Sequence, residues 1–181
     1  MHLTKSLNIA LLLAITCFVL PACSEGGGAS AESVENAKKI NMATTSAGNA
    51  FHSMWRAEQG YASSDRKPQR SDLDVFWMAL QSTARDLERV DKMLAEDPAL
   101  VDQTRNYWNG RVQENLSKIE ASGMLSTMDG PITSMLGKTY GEERVRKDIT
   151  RLLAATSSIQ ARLGIERTPF PGTTSEPPAE S

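Results

Sequence analysis

The chain has 181 residues, of which 40% are hydrophobic and 23% are charged, and its formal net charge is −2. This length and composition fit a single globular domain with a modest hydrophobic core rather than two domains. The near-neutral charge argues against nucleic acid as a partner, because phosphate binding requires a clustered positive field.

The first 24 residues have the organisation of a bacterial secretory signal. Lys5 precedes an apolar run, residues 9–20, that is shorter than the roughly 20 residues needed to cross a bilayer. The run ends in the tetrapeptide Leu20-Pro21-Ala22-Cys23. This tetrapeptide resembles the lipobox of bacterial lipoproteins, although Pro21 replaces the usual small residue. The resemblance implies cleavage after Ala22, a thioether-linked diacylglycerol on Cys23 and an acyl chain on the amine of Cys23.

Lipidation at Cys23 implies a membrane-tethered protein. Two or more acyl chains, at about 0.8 kcal/mol per buried CH₂, hold a protein on a membrane stably. In enteric-type bacteria, Ser24 after the cysteine implies the outer membrane with the domain facing the periplasm; an inner-membrane or cell-surface placement stays open. The alternative is an ordinary signal peptide that leaves Cys23 as a free thiol.

Composition divides the chain into four parts. Residues 1–22 are the predicted signal peptide, and residues 23–31 form a Ser/Gly/Ala-rich segment that we expect to be a flexible tether. Residues 32–165 carry the predicted domain. Residues 166–181 are rich in Pro, Ser, Thr and Glu, and we expect a disordered tail there because such a segment buries too little apolar surface.

Within residues 32–165 the apolar side chains recur at steps of three or four, which is the period of amphipathic helices. The first predicted helix runs from about residue 32 to about residue 62, and a loop over residues 63–70 follows it. Ser71 is the expected N-cap of the second helix, because acidic side chains follow it in the first turn. The apolar positions of the second helix are Leu73, Phe76, Trp77, Leu80, Ala84, Leu87, Val90 and Leu94.

The Asp97-Pro98 pair predicts the start of a third helix, since proline suits the first helical position. Gly110 interrupts this helix, and Gly123 is its expected end because glycine readily adopts the left-handed conformation. The apolar positions of the third helix are Val101, Trp108, Val112, Leu116 and Ile119.

Residues 124–141 are predicted to be a connector with one short helix, broken at Gly130-Pro131. The last helix has the clearest pattern, and Thr139 and Glu142 could form its capping box. Its apolar stripe is Val145, Ile149, Leu152, Thr156, Ile159 and Leu163. The chain is therefore predicted to be an all-α protein, an antiparallel bundle of about four main helices plus a short connector helix.

The inventory of reactive side chains argues against an enzyme. On the lipoprotein prediction Cys17 is removed with the signal peptide and Cys23 is acylated, so we expect a mature domain with no thiol and with His52 as its one histidine. A Ser-His-Asp triad would have to be built around His52, and neither a thiolate metal site nor a multi-histidine site can be assembled from these residues. We therefore expect no catalytic residue, no metal site and no cofactor.

The favoured function is a non-catalytic, protein-binding lipoprotein with an envelope protein as its partner. A pilotin-like assembly role and an immunity-like inhibitory role are both compatible with this class. Trp55 lies at the edge of the first apolar stripe, and Arg66, Lys67 and Arg70 lie in or beside the loop, so these four are the candidate partner-binding residues. The alternative is a helical bundle that carries a small ligand, haem or metal, in which His52 and methionine would serve as ligands.

Overall fold

The structure is a computed structural model that describes residues 31–166. The predicted signal peptide, Cys23, the predicted tether up to residue 30 and the predicted tail beyond residue 166 lie outside the described residues. Within residues 31–166 every regular element is helical, which confirms the all-α prediction. The elements are α1 (Ala31–Ala62), α2 (Arg70–Glu96), a 3₁₀ turn (Pro98–Leu100), α3 (Val101–Arg111), α4 (Gln113–Ser122), α5 (Met124–Thr127), α6 (Pro131–Tyr140) and α7 (Glu142–Arg162).

The three long helices α1, α2 and α7 carry most of the core. Helix α1 packs against α2, α3, α4 and α6, and α2 packs against α7 along much of its length. The stripe predicted for the last helix is confirmed, because all of its members are buried, and the hydroxyl of Thr156 donates to the Leu152 carbonyl at 2.7 Å. Among the helices of residues 31–166, none combines the length and hydrophobicity that a membrane span requires.

A polar seam joins α2 to α7 beside this core. Asp148 is 7% exposed, and its Oδ2 accepts hydrogen bonds from Trp77 Nε1 at 3.0 Å and Gln81 Nε2 at 2.6 Å. Two helical turns further along α2, Glu88 receives two bonds from the Arg151 guanidinium, at 2.9 and 2.7 Å. Trp77 is accordingly half-buried in this seam rather than part of the core.

Two predicted helix starts are wrong. The N-cap of α2 is Gln69 and not Ser71; its backbone carbonyl accepts from the Asp72 N–H at 3.1 Å, and Asp72 Oδ2 accepts from the Gln69 N–H at 2.8 Å. Helix α7 follows Gly141, which has a φ of +94° and no capping side chain, so Thr139 forms no capping box there. Glycine suits the start of α7 because it adopts a positive φ without steric cost.

The predicted third helix is divided into three pieces. Asp97 caps the 3₁₀ turn by accepting from the Ala99 N–H at 3.2 Å, and the chain then forms α3 and α4 with a break at Val112 rather than at Gly110. Gly123 ends α4 with a φ of +65°, as predicted. The predicted connector contains two short helices, α5 and α6, instead of one.

The break between α3 and α4 lies where the backbone of α1 comes closest. A Cβ placed on Gly48 would lie 2.2 Å from the carbonyl oxygen of Arg111, well inside van der Waals contact. The amide Nδ2 of Asn115 donates to the Gly48 carbonyl at 3.2 Å. Gly48 therefore sets the spacing between α1 and the α3–α4 pair.

Gly48→Ala should lower the free energy of unfolding by about 1–3 kcal/mol, because the new methyl meets backbone that cannot rotate away. Chemical denaturation measures this change. Gly60→Ala is the control: it also lies in α1, but its Cβ meets open space. It should raise stability by about 0.5–1 kcal/mol, and equal effects of the two changes would contradict the close contact.

Glu58 holds the start of α6 from inside the protein. It is 3% exposed, and its carboxylate accepts from the Ile132 N–H at 3.0 Å and from the Thr133 hydroxyl at 3.2 Å. Gly130 leaves room for this carboxylate, since a Cβ there would overlap Glu58 Oε1. Burial raises the pKa of Glu58 above its usual 4.5, because desolvation outweighs the hydrogen bonds that favour the charge.

This raised pKa gives a pH dependence of defined sign. The folded state binds the Glu58 proton more tightly than the unfolded state, so this residue's stabilising contribution is present below pH 4.5 and is lost as pH rises through the folded-state pKa. Glu58→Gln should therefore gain stability relative to the wild type as pH rises. Chemical denaturation of the wild type and of Glu58→Gln, at a series of pH values from 4.5 upwards, tests this prediction. A difference in free energy of unfolding that stays constant with pH would contradict the raised pKa.

Candidate functional site

Two solvent-open pockets lie along the α1–α2 pair. The pocket near the loop has a volume of about 190 Å³ and a mostly apolar lining that includes Ser53, Ala57, Tyr61, Val75 and Ala79. The pocket towards the start of α1 has a volume of about 570 Å³ and is lined by residues including Met42, Ala43, Ser46, Asp86, Arg89 and Met93. We call these two sections together the α1–α2 groove.

The two sections share one side of both helices because their residues recur at steps of three or four. On α1 the side chains along this side are small, and Ala43, Ala50 and Ala57 are only half-buried. Large apolar side chains stand at the edges: Met42 is 65% exposed and Val75 is 68% exposed. The groove thus presents a narrow apolar surface outside the hydrophobic core.

The loop end of the groove is held by a hydrogen-bonded pair. The Tyr61 hydroxyl donates to Asp72 Oδ2 at 2.5 Å, and this carboxylate also caps α2 through the Gln69 N–H. These bonds, with Arg66 nearby, hold the pKa of Asp72 below its usual 3.8, the hydroxyl of Tyr61 contributing most. The same contact raises the pKa of Tyr61, mainly through its bond to Asp72.

The structure places the predicted binding residues at two separate locations. Arg66, Lys67 and Arg70 are exposed at the loop end of the bundle. Trp55 is half-buried on the opposite side of α1, where Lys118 Nζ of α4 lies 5.4 Å from its ring centroid. Trp55 therefore does not line the α1–α2 groove.

Arg70 belongs to a layered cluster of aromatic and arginine side chains that the sequence pattern does not predict. Its guanidinium lies 4.5 Å from the Tyr140 ring centroid, and the Tyr140 and Trp77 rings are 3.9 Å apart. The Arg144 guanidinium covers the other ring, 4.6 Å from the centroid of Trp77. Tyr140 also donates to Asp74, with which Arg70 pairs at 3.4 Å. Helical spacing alone could not find the cluster, because its members come from α2, α6 and α7.

Three acidic side chains of residues 31–166 make contacts between helices, and the described histidine lies beside an asparagine. Glu58, Asp72 and Asp148 are each occupied by bonds that join helices, and His52 Nδ1 lies 3.3 Å from Asn115 Oδ1. Over the same residues, no group of three or more His, Cys, Asp or Glu side chains is arranged to hold a metal ion.

Comparison with protein families, with curated proteins and with solved structures found no match to this chain.

Removing the Tyr61 hydroxyl tests the contact at the loop end. Tyr61→Phe should raise the pKa of Asp72 towards 3.8, because the carboxylate loses the hydrogen bond that lowers its pKa most. An NMR titration of the Asp72 side-chain carbonyl measures the change. Asp74, which bonds a different tyrosine, is the internal control; an unchanged Asp72 would show that the Tyr61 bond does not form.

Proposed function

We propose that this protein is a lipid-anchored envelope lipoprotein whose helical bundle binds another protein. The observation that carries the proposal is the α1–α2 groove, an apolar surface that the fold leaves open to solvent. Grooves between helices with small residues along them are a common way to receive a segment of another protein. The domain would thus work as a binding module and not as a catalyst.

The polar contacts of the domain support a non-catalytic role. A general acid or base needs a carboxyl or imidazole aimed into a cleft where substrate can reach it. Glu58 points into the protein and holds α6, while Asp148 holds the α2–α7 seam. Asp72, which lines the loop end of the groove, is occupied by the Tyr61 hydroxyl and the Gln69 N–H.

The lipid anchor predicted from the sequence also supports the proposal. Cys23 follows a lipobox-like tetrapeptide, and a short segment joins it to the first residue of α1, Ala31. A lipid on Cys23 would keep the groove within reach of proteins at the outer membrane. Two roles fit this arrangement: help in assembling an envelope machine, and neutralisation of an incoming toxin. Deleting the gene separates them, since loss of a machine favours the first and killing by sibling cells the second.

The anchor is tested by changing one cysteine at a time. Cys23→Ala should move the protein from the membrane fraction to the soluble fraction, because no acyl chain can attach. Immunoblotting of the fractions measures this. Cys17→Ala is the matched control. Because Cys17 lies inside the apolar run and not at the lipobox-like tetrapeptide, this variant should stay in the membrane fraction. A Cys23→Ala protein that stays in the membrane fraction would exclude lipidation at this residue.

A further inference from the structure

Met42 places an oxidisable thioether at the surface of the α1–α2 groove. We infer that Met42 is a site of reversible oxidation, and that its conversion to the sulfoxide weakens protein binding in the groove. This inference rests on the proposed protein-binding function and adds a means of regulating it.

Access to oxidant distinguishes two methionines of the described residues. Met42 and Met78 are 65% and 69% exposed, whereas the other methionines of residues 31–166 are buried or half-buried. Of this pair, Met42 lines the groove and Met78 does not. Met93 lines the same section as Met42, but it is half-buried and packs against the core. Oxidation of the folded domain should therefore change the groove at Met42 first.

The chemical step is a two-electron oxidation of the Met42 sulfur by a hydroperoxide. A lone pair of the sulfur attacks one peroxide oxygen, an S–O bond forms and the O–O bond breaks. The proton on the transferred oxygen moves to the leaving oxygen, which departs as water or an alcohol. Methionine sulfoxide reductases reverse the change, with a dithiol that becomes a disulfide while the oxygen leaves as water.

Oxidation changes the polarity of a contact surface. Ala43 and Met93 contribute apolar side chains to the lining around Met42, and a thioether suits an apolar contact of this kind. A sulfoxide is polar and accepts hydrogen bonds from water, so a partner that covers it must remove that water. The oxidised side chain therefore opposes binding at the point where the thioether favours it.

A neighbouring lysine adds to this effect. Lys39 lies one helical turn before Met42 and lines the same section, and its ion pair with Glu35 is long, at 3.9 Å. Side chains one turn apart on a helix are neighbours, and an ammonium group has three donors. Lys39 can thus donate to a sulfoxide on Met42, which stabilises the open groove relative to the occupied one.

The test measures capture in cells that make the full chain. A photo-crosslinking amino acid replaces Ser46, an exposed residue of α1 in the same lining, and the captured protein is identified by mass spectrometry. Its yield is compared before and after treatment with hydrogen peroxide that converts most Met42 to the sulfoxide. The yield should fall by about fivefold or more, as burial of an uncompensated polar group predicts.

Substitutions at two methionines assign the effect to Met42. Met42→Leu keeps an apolar side chain of similar volume that peroxide does not oxidise, so its yield should not respond to treatment. Met42→Gln imitates the polarity of the sulfoxide and should lower the yield without peroxide. Met78→Gln makes the same change at an equally exposed position outside the groove and should keep the wild-type yield. Circular dichroism confirms that the variants are folded.

The outcomes separate this inference from the proposed function. Equal losses in the wild type and Met42→Leu after peroxide would overturn the inference and leave protein binding intact. The same holds for a wild-type yield in Met42→Gln, or for purified protein in which Met42 oxidises no faster than Met93. If the Ser46 position captures no protein, both the inference and the proposed function fail.

Discussion

The close contact of α1 with the α3–α4 junction is the constraint on which the bundle depends. At Gly48 the α1 backbone lies so near the Arg111 carbonyl that no side chain fits between them. This contact fixes one side of α1, and Glu58, further along the same helix, fixes the start of α6. Because α1 is held at both points, the positions of the shorter helices follow from it.

The groove follows from the way in which α1 packs against the other helices. Its buried side faces α3, α4 and α6, and its contact with α2 leaves an outer channel with small side chains, to which α6 adds Ile132 at the loop end. At a core position, alanine buries less apolar area than a larger residue would bury. In the proposed binding role, the same alanines would let an incoming segment come close to α1. The proposal of a binding role therefore rests on packing rather than on any reactive group.

Part of this structure was predictable from local patterns. The bounds of α1, the stripe of α7 and the end of α4 at Gly123 follow from helical period and from the φ that glycine allows. The break at Val112 and the Glu58 contact depend on residues far apart in sequence. Spacing within one helix carries no information about such contacts.

The same distinction applies to the candidate site. The exposure of Arg66, Lys67 and Arg70 agrees with the loop predicted from composition. The groove itself needed the pairing of α1 with α2, and Trp55 faces α4 because it lies about two helical turns after Gly48, on the same side of α1. A run of small residues at helical steps on α1 was the available signal, but on its own such a run equally describes a close helix–helix contact inside a core.

Oxidative footprinting of two methionines tests the central claim most directly. Met42 lines the α1–α2 groove and Met78 lies outside its lining, while their exposed fractions are closely matched at 65% and 69%. If a partner occupies the groove, Met42 should oxidise several-fold more slowly in native membranes than in the purified protein, and Met78 should change much less. Equal oxidation rates for Met42 in the two preparations would contradict an occupied groove.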